Sequence, residues 1–271
     1  MFTVQHIDSF GLPELQPYQT MRRQWEHREQ GIFVAEGAKV VRRLLESRFI
    51  VRSVLMPEKW LAELQPLIES RAEPVHVFLA PKKLLENLTG FSMYQGLLAV
   101  GQVPEQRTLE QVLDTAPRPL LLAAADGLSS AENVGTMVRN CAAFGANALI
   151  TSPTCASPFL RRAVRSSMGT IFNLPVVEAP DVSAALRFLK TRGVYCVAAH
   201  PHRHDVTLSR AKLQDCCCLL FGSEDAGIRP ELLDLCDQAV AIPMTPDVDS
   251  LNVSSAAAAF LYEAARQRGT S

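Results

Sequence analysis

Ile242-Pro-Met-Thr-Pro-Asp-Val-Asp-Ser-Leu-Asn-Val-Ser-Ser255 carries the clearest strand-to-helix punctuation in the chain. A short apolar strand stops at a proline, which cannot extend a sheet ladder. A polar loop follows, and then an alanine-rich helix over 252–267, which Asp249 or Ser250 can cap. Two earlier stretches share this build. The apolar run 120–125 enters Asp126-Gly127 and then Glu132-Asn133-Val-Gly135, and the run 216–221 enters Gly222-Ser-Glu224-Asp-Ala-Gly227. Ligands of open α/β sheets bind just beyond the carboxyl ends of strands, so three polar loops of this kind can build one site on one edge.

Working outward, apolar strand runs alternate with helical patterns through the second half. Strands are expected at 148–151, 174–178, 194–199 and 239–242, and helices at 134–144, 158–167, 182–191 and 230–236. That order predicts a parallel sheet covered on both faces. The first hundred residues alternate as well, with strands at 32–35, 51–56, 75–79 and 95–101 and helices at 19–30, 39–47, 58–70 and 81–88. Residues 1–18 read as irregular because of Pro13 and Pro17, and prolines 104, 117 and 119 mark residues 104–119 as a linker. An α/β chain of two domains, 1–103 and 120–271, follows.

Composition narrows the classes. The 271 residues are 48% hydrophobic and 20% charged, ordinary for a globular chain. No apolar run is long enough for a membrane span and no signal pattern opens the chain, so a cytoplasmic location is expected. The seven cysteines form no CxxC pair, and Cys216-Cys217-Cys218 lie in an apolar run, which predicts reduced, buried thiols. The net charge of −1 hides a basic stretch, because residues 20–52 hold eight Lys/Arg against four Glu. Arg161, Arg162 and Arg165 form a second cluster with no acid near them in sequence. Such patches are compatible with nucleic acid and equally with solvated helix faces.

Neither a dinucleotide fingerprint nor a P-loop is present, which removes support from a Rossmann oxidoreductase or an NTPase. Asn133 and Arg139 flank the start of one helix, Asn133 near its N-cap, and an arginine roughly on the same side can hold a phosphate. Glu224 sits among glycines that allow close backbone approach. His200-Pro-His202-Arg-His204-Asp205 has metal-ligating residue types but no second ligand cluster, and reads as a polar loop, so no metal is expected. Ser250 lacks a nucleophile elbow and reads as a cap or a polar contact.

Taken in order, Glu132–Gly145, Leu219–Ile228 and Ile242–Met244 with Ser250–Ser254 resemble the three motifs of the SpoU (TrmH-type) RNA ribose methyltransferases of the SPOUT superfamily. Ser167–Pro175 is similar to the segment that links them. Ile32-Phe-Val-Ala-Glu-Gly37 and Gly90–Leu98 resemble an L30e-like RNA-binding domain. Pro246, Asp247, Asp249 and Asp225-Ala226 depart from the family pattern. The resemblance implies a deep trefoil knot in the C-terminal domain, a homodimer formed through it, and S-adenosyl-L-methionine as methyl donor, held by backbone around Gly222, Ile242 and Leu251. It implies Arg139 as the central catalytic residue, with Asn133, Glu224, Ser250 and Asn252 completing the site. On this reading Arg22, Arg23, Lys39, Arg42 and Arg43 contact RNA phosphates. The substrate is a ribose 2′-hydroxyl of RNA, with ribosomal RNA favoured over transfer RNA. A non-catalytic RNA-binding factor of the same fold is the reading from another class.

Overall fold

A computed structural model describes residues 2–89, 96–202 and 205–269. Two compact units are present, one made of 1–105 with 159–172 and the other of 106–158 with 173–271. His204 and residues 90–95 of the Gly90–Leu98 stretch lie outside the described residues.

In the first unit the chain runs β1 (Phe2–His6), α1 (Gln16–Gln19), α2 (Gln24–Glu29), β2 (Ile32–Glu36), α3 (Ala38–Glu46), β3 (Val51–Met56), α4 (Leu61–Glu69), β4 (Val75–Leu79), α5 (Lys82–Thr89) and β5 (Leu98–Gln102). The sheet order is β1-β4-β3-β5-β2, with β1, β4 and β3 parallel and β5 antiparallel to both its neighbours. The stretch 1–18, read as irregular, therefore supplies an edge strand. Its outer residues are polar or exposed, Val4 among them, so it carries no clear alternating pattern. The single helix expected at 19–30 is two short ones separated by a turn. Helix α3 buries Val40, Val41, Leu44 and Leu45 as its periodicity predicts.

The segment 159–172 contains α8 (Arg161–Ser166) and closes this unit's core against β2. Phe159 and Phe172 bring their rings to 5.6 and 5.7 Å from Phe33, and Phe49 lies 5.4 Å from Phe172. Gly101, opposite Phe33 on β5, makes room for that ring, because a Cβ there would lie 2.4 Å from its Cζ. At the end of β2 the buried Glu36 carboxylate accepts from Arg161 and, at 2.9 Å, from Arg165. The arginine cluster that lacked an acid in sequence thus has one in space. Arg43 donates to the Met168 carbonyl at 2.8 Å within the same unit.

In the second unit the order is α6 (Leu109–Thr115), β6 (Leu121–Ala125), α7 (Ala131–Ala143), β7 (Ala148–Thr151), then, beyond α8, β8 (Val176–Glu178), α9 (Val182–Thr191), β9 (Tyr195–Ala199), β10 (Val206–Thr207), β11 (Cys217–Phe221), α10 (Pro230–Leu233), β12 (Gln238–Ala241) and α11 (Val253–Gln267). Residues 109–115, inside the expected linker, form a helix with a complete Thr108/Gln111 capping box, and its Val112 and Leu113 join the unit's core. The seven strands are parallel throughout, in the order β10-β12-β9-β11-β6-β7-β8. From β6 the chain builds outward through β7 and β8, and then returns to the other side to place β9 and β11. The β6/β11 boundary is therefore the switch point where an open α/β sheet forms its crevice.

All seven cysteines are free, and none is exposed. Burial pushes the Cys141 and Cys196 thiols up to about 12 and the Cys217 thiol to about 11. These groups stay protonated near neutrality and behave as small apolar side chains.

Glu36 gives a test of the first unit. Glu36→Ala leaves the Arg161 guanidinium, with a side chain only 13% exposed, without its carboxylate. Removing one partner of a buried ion pair costs about 3 kcal/mol. Urea titration should show a lower midpoint at unchanged slope, and Arg165→Ala should cost far less, since that side chain is 58% exposed.

Candidate active site

The loop after β11 determines the shape of the site. Ser223 and Gly227 pair across it, Ser223 N–H donating to the Gly227 carbonyl at 3.0 Å and Gly227 N–H returning to Ser223 at 3.1 Å. The Ser223 hydroxyl accepts from Ala226 N–H at 3.0 Å. This turn folds back so tightly that a Cβ on Gly222 would lie 2.1 Å from the Gly227 carbonyl carbon. Only glycine fits there, and Gly227 itself has a φ of +68°.

The loop after β6 is tied to the same turn. Asp126 N–H donates to the Phe221 carbonyl at 3.0 Å, and the buried Asp126 carboxylate accepts from Arg229 Nε at 2.7 Å. Arg229 follows the turn directly, so this ion pair joins the ends of two loops. Helix α7 then begins, capped by Ser130, whose hydroxyl accepts from Asn133 N–H at 3.3 Å. Asn133, read as lying near the cap, is the third helical residue, which leaves its side chain available to other groups.

The third loop, after β12, leads into α11. Its cap is Asn252, whose Oδ1 accepts from Ser254 N–H at 2.9 Å, in place of the expected Asp249 or Ser250. Asn252 Nδ2 donates to Asn133 Oδ1 at 3.2 Å, and Asn133 Nδ2 donates to Glu224 Oε1 at 2.8 Å. A carboxylate only accepts, so Glu224 fixes which way the Asn133 amide points, and that leaves Oδ1 toward Asn252. Ser254 Oγ donates to the Asn133 carbonyl at 3.0 Å, and Asn140 Nδ2 reaches the Ser254 carbonyl at 2.8 Å. One residue from each motif therefore meets at Asn133.

The loops after β11 and β12, with the turn after β9, border a cavity of about 470 Å³, in the size range of small-molecule sites. Gly222, Glu224, Ile242, Ser250, Leu251 and Asn252, all expected site residues, line it. Arg139 does not. It is exposed on α7, and its side chain makes no hydrogen bond or ion pair among the described residues. Six helical residues span about 600°, which sets Arg139 about 120° around the helix from Asn133, not on the same side. Among the expected RNA contacts, Arg22, Arg23 and Lys39 are exposed, Arg23 pairing with Glu26 at 3.0 Å. Arg42 and Arg43 are half-buried, Arg42 paired with Glu63 and Arg43 held by Met168. Among the described residues no cluster of His, Cys, Asp or Glu suits a metal ion.

Two features of the site escaped the sequence reading. Asp126–Arg229 joins residues far apart in the chain and has no local pattern. His200 and His202 follow β9 at the same carboxyl edge and line the cavity, where a polar loop was expected. Their position directly after an apolar strand was the available signal.

The SpoU rRNA methylase family matches residues 121–262, which spans all three loops. The chain belongs to this family. It is 33% identical over 241 residues to an uncharacterised tRNA/rRNA methyltransferase of Mycobacterium tuberculosis, covering 88% of this chain and 82% of the relative. It is 32% identical over 211 residues to the 23S rRNA (guanosine-2′-O-)-methyltransferase RlmB of Pectobacterium atrosepticum, covering 76% and 85%. Among solved structures, the SpoU methyltransferase AviRb of Streptomyces viridochromogenes, in complex with AdoMet, superposes with a TM-score of 0.81 at 27% identity, covering 96% of this chain and all of that one. Family membership and the observed parallel sheet together bear out the α/β fold read from the strand pattern.

Two substitutions test the site's construction. Gly222→Ala should abolish ligand binding in the cavity by calorimetry, because the turn must open to admit the methyl group. Asn133→Asp should reduce activity more than Asn133→Ala, because it sets a second carboxylate against Glu224. A loss of about 100-fold in kcat for the aspartate variant, with a smaller loss for alanine, is the expected order.

Proposed function

We propose that this protein transfers a methyl group from S-adenosylmethionine to a ribose 2′-hydroxyl of RNA, with ribosomal RNA as substrate. The observation that carries this is the hydrogen-bonded meeting of Asn133, Glu224 and Asn252, one from each of the three motifs, beside a cavity that Glu224 and Asn252 line. The cavity suits the donor chemically. Ile242, Leu251 and Phe260 offer apolar wall to a nucleoside, and Glu224, Asp225 and Asp249 offset a sulfonium charge. Backbone around Gly222, Ile242 and Leu251 would hold the cofactor, which supplies an electrophilic methyl group. The names of the curated relatives support the 2′-hydroxyl of 23S rRNA as acceptor. A trefoil-knotted C-terminal segment, homodimer formation through the second unit and a cytoplasmic location belong to the same reading. No helix among the described residues is long and apolar enough to cross a membrane, which accords with that location.

The residues then divide the work. A ribose hydroxyl is a poor nucleophile at neutral pH and must be oriented and helped to lose its proton. Asn133 and Glu224 orient it, with Asn252 locking the amide and Ser250 adding a polar contact. Arg139, exposed, outside this cavity and with no side-chain partner among the described residues, holds an RNA phosphate and so sets the ribose in place. The first unit, L30e-like on this reading, binds RNA through Arg22, Arg23 and Lys39, while Arg42 and Arg43 exchange their internal partners for phosphate less readily.

The deciding experiment is transfer of labelled methyl from S-adenosylmethionine to unmodified rRNA and tRNA, assayed separately. The expected product is rRNA labelled at an alkali-resistant linkage. Arg139→Ala should lower turnover at least about 100-fold, and Arg139→Lys should recover little, because the planar fork is lost. Near-normal turnover of Arg139→Ala at saturating RNA would remove its catalytic role. RNA affinity should fall steeply with salt, with a shallower slope in Arg22→Glu/Arg23→Glu.

A further inference from the structure

The His200-Pro201-His202 turn forms one wall of the cavity, and the mechanism above leaves it without a role. Its geometry is specific. His202 N–H donates to His200 Nδ1 at 3.1 Å, so that ring nitrogen is an acceptor and the neutral His200 ring carries its proton on Nε2. The two rings stand edge to face, 6.4 Å apart. His200 therefore ties the turn, and His202, exposed at its end, presents a second imidazole at the cavity.

The charge of the cavity says what such a group is for. Three carboxylates, Glu224, Asp225 and Asp249, line it, and no lysine or arginine among its described lining residues offsets them. A sulfonium or an ammonium group is welcome there, but a carboxylate is not. S-adenosylmethionine carries all three. Its carboxylate needs a donor, and the His202 ring offers an N–H with no hydrogen-bond partner among the described residues, whereas the Asn252 Nδ2 of the same lining is already given to Asn133.

We propose that His202 receives the carboxylate of the methionine moiety of bound S-adenosylmethionine, and that His200 is a positioning residue that holds His202 in place. This rests on the cofactor reading above, and the test separates the two. Calorimetry measures the Kd of S-adenosylmethionine and of its decarboxylated analogue, which keeps the nucleoside, sulfonium and amine. The wild-type protein should prefer the carboxylated form by about tenfold, the range of one hydrogen bond to a charged group. His202→Ala should weaken S-adenosylmethionine to the level of the analogue and leave the analogue unchanged. His202→Gln, which retains a donor, should restore part of the preference. His200→Ala should also lower the preference, and His200→Asn should recover it, because an Asn Oδ1 accepts the same i+2 N–H in an Asx turn. Equal weakening of both ligands by His202→Ala would mean that the ring only shapes the cavity, and an unchanged preference would mean that the carboxylate lies elsewhere. Either overturns the assignment. Wild-type binding of neither ligand would instead remove the cofactor reading, and the assignment with it. Melting temperatures check that each variant is folded.

Discussion

Everything at the candidate site depends on how the chain reverses after β11. Parallel strands end with their carboxyl edges open, and a chain leaving such an edge would ordinarily run straight into a helix. Here it turns back on itself through the Ser223–Gly227 pair, at a separation that only a glycine at 222 allows. The reversal places Glu224 across from α7, where it can accept from Asn133. The amide orientation that results is the one Asn252 requires. Three loops distant in sequence are thus held by one chain of hydrogen bonds, in which each member fixes the donor and acceptor roles of the next.

The division of labour between charge and packing follows from this. The site's wall combines apolar and acidic side chains, and the amides of Asn133 and Asn252 are oriented before any ligand enters. Preorganised dipoles of this kind need little rearrangement as charge develops. The Asp126–Arg229 pair has a supporting part. It closes the base of the turn with one buried carboxylate and one half-exposed guanidinium, and so stiffens the loop from beneath without entering the cavity.

Much of this was legible in the sequence, and the gaps have physical causes. Strand runs such as 120–125 and 216–221 are apolar because both faces of a parallel sheet are covered, and such runs stand out without an alignment. The expected site residues 222, 224, 242, 250, 251 and 252 reached one cavity because loops at strand ends share an edge. What failed was any inference that needed three-dimensional phase or distant pairing. Arg139 was placed beside Asn133 by its spacing, whereas the helical phase turns it away. The strand Phe2–His6 pairs with β4 along its whole length, yet most of its residues face outward and give no apolar pattern. Glu36 is separated from Arg161 by 125 residues and from Arg165 by 129, and no local rule links positions so far apart.

The return of residues 159–172 to the first unit bears on how this chain could have been assembled. A segment that lies between the first and second motifs in the gene supplies two rings of the first unit's aromatic cluster and both counter-charges of its buried carboxylate. A cut after residue 105 would therefore release a piece with an unfilled apolar face and an uncompensated acid. The first unit cannot be exchanged between proteins by a single crossover. Recombination that swaps it must carry a short internal stretch along, so the two units must change together even though their sheets are separate.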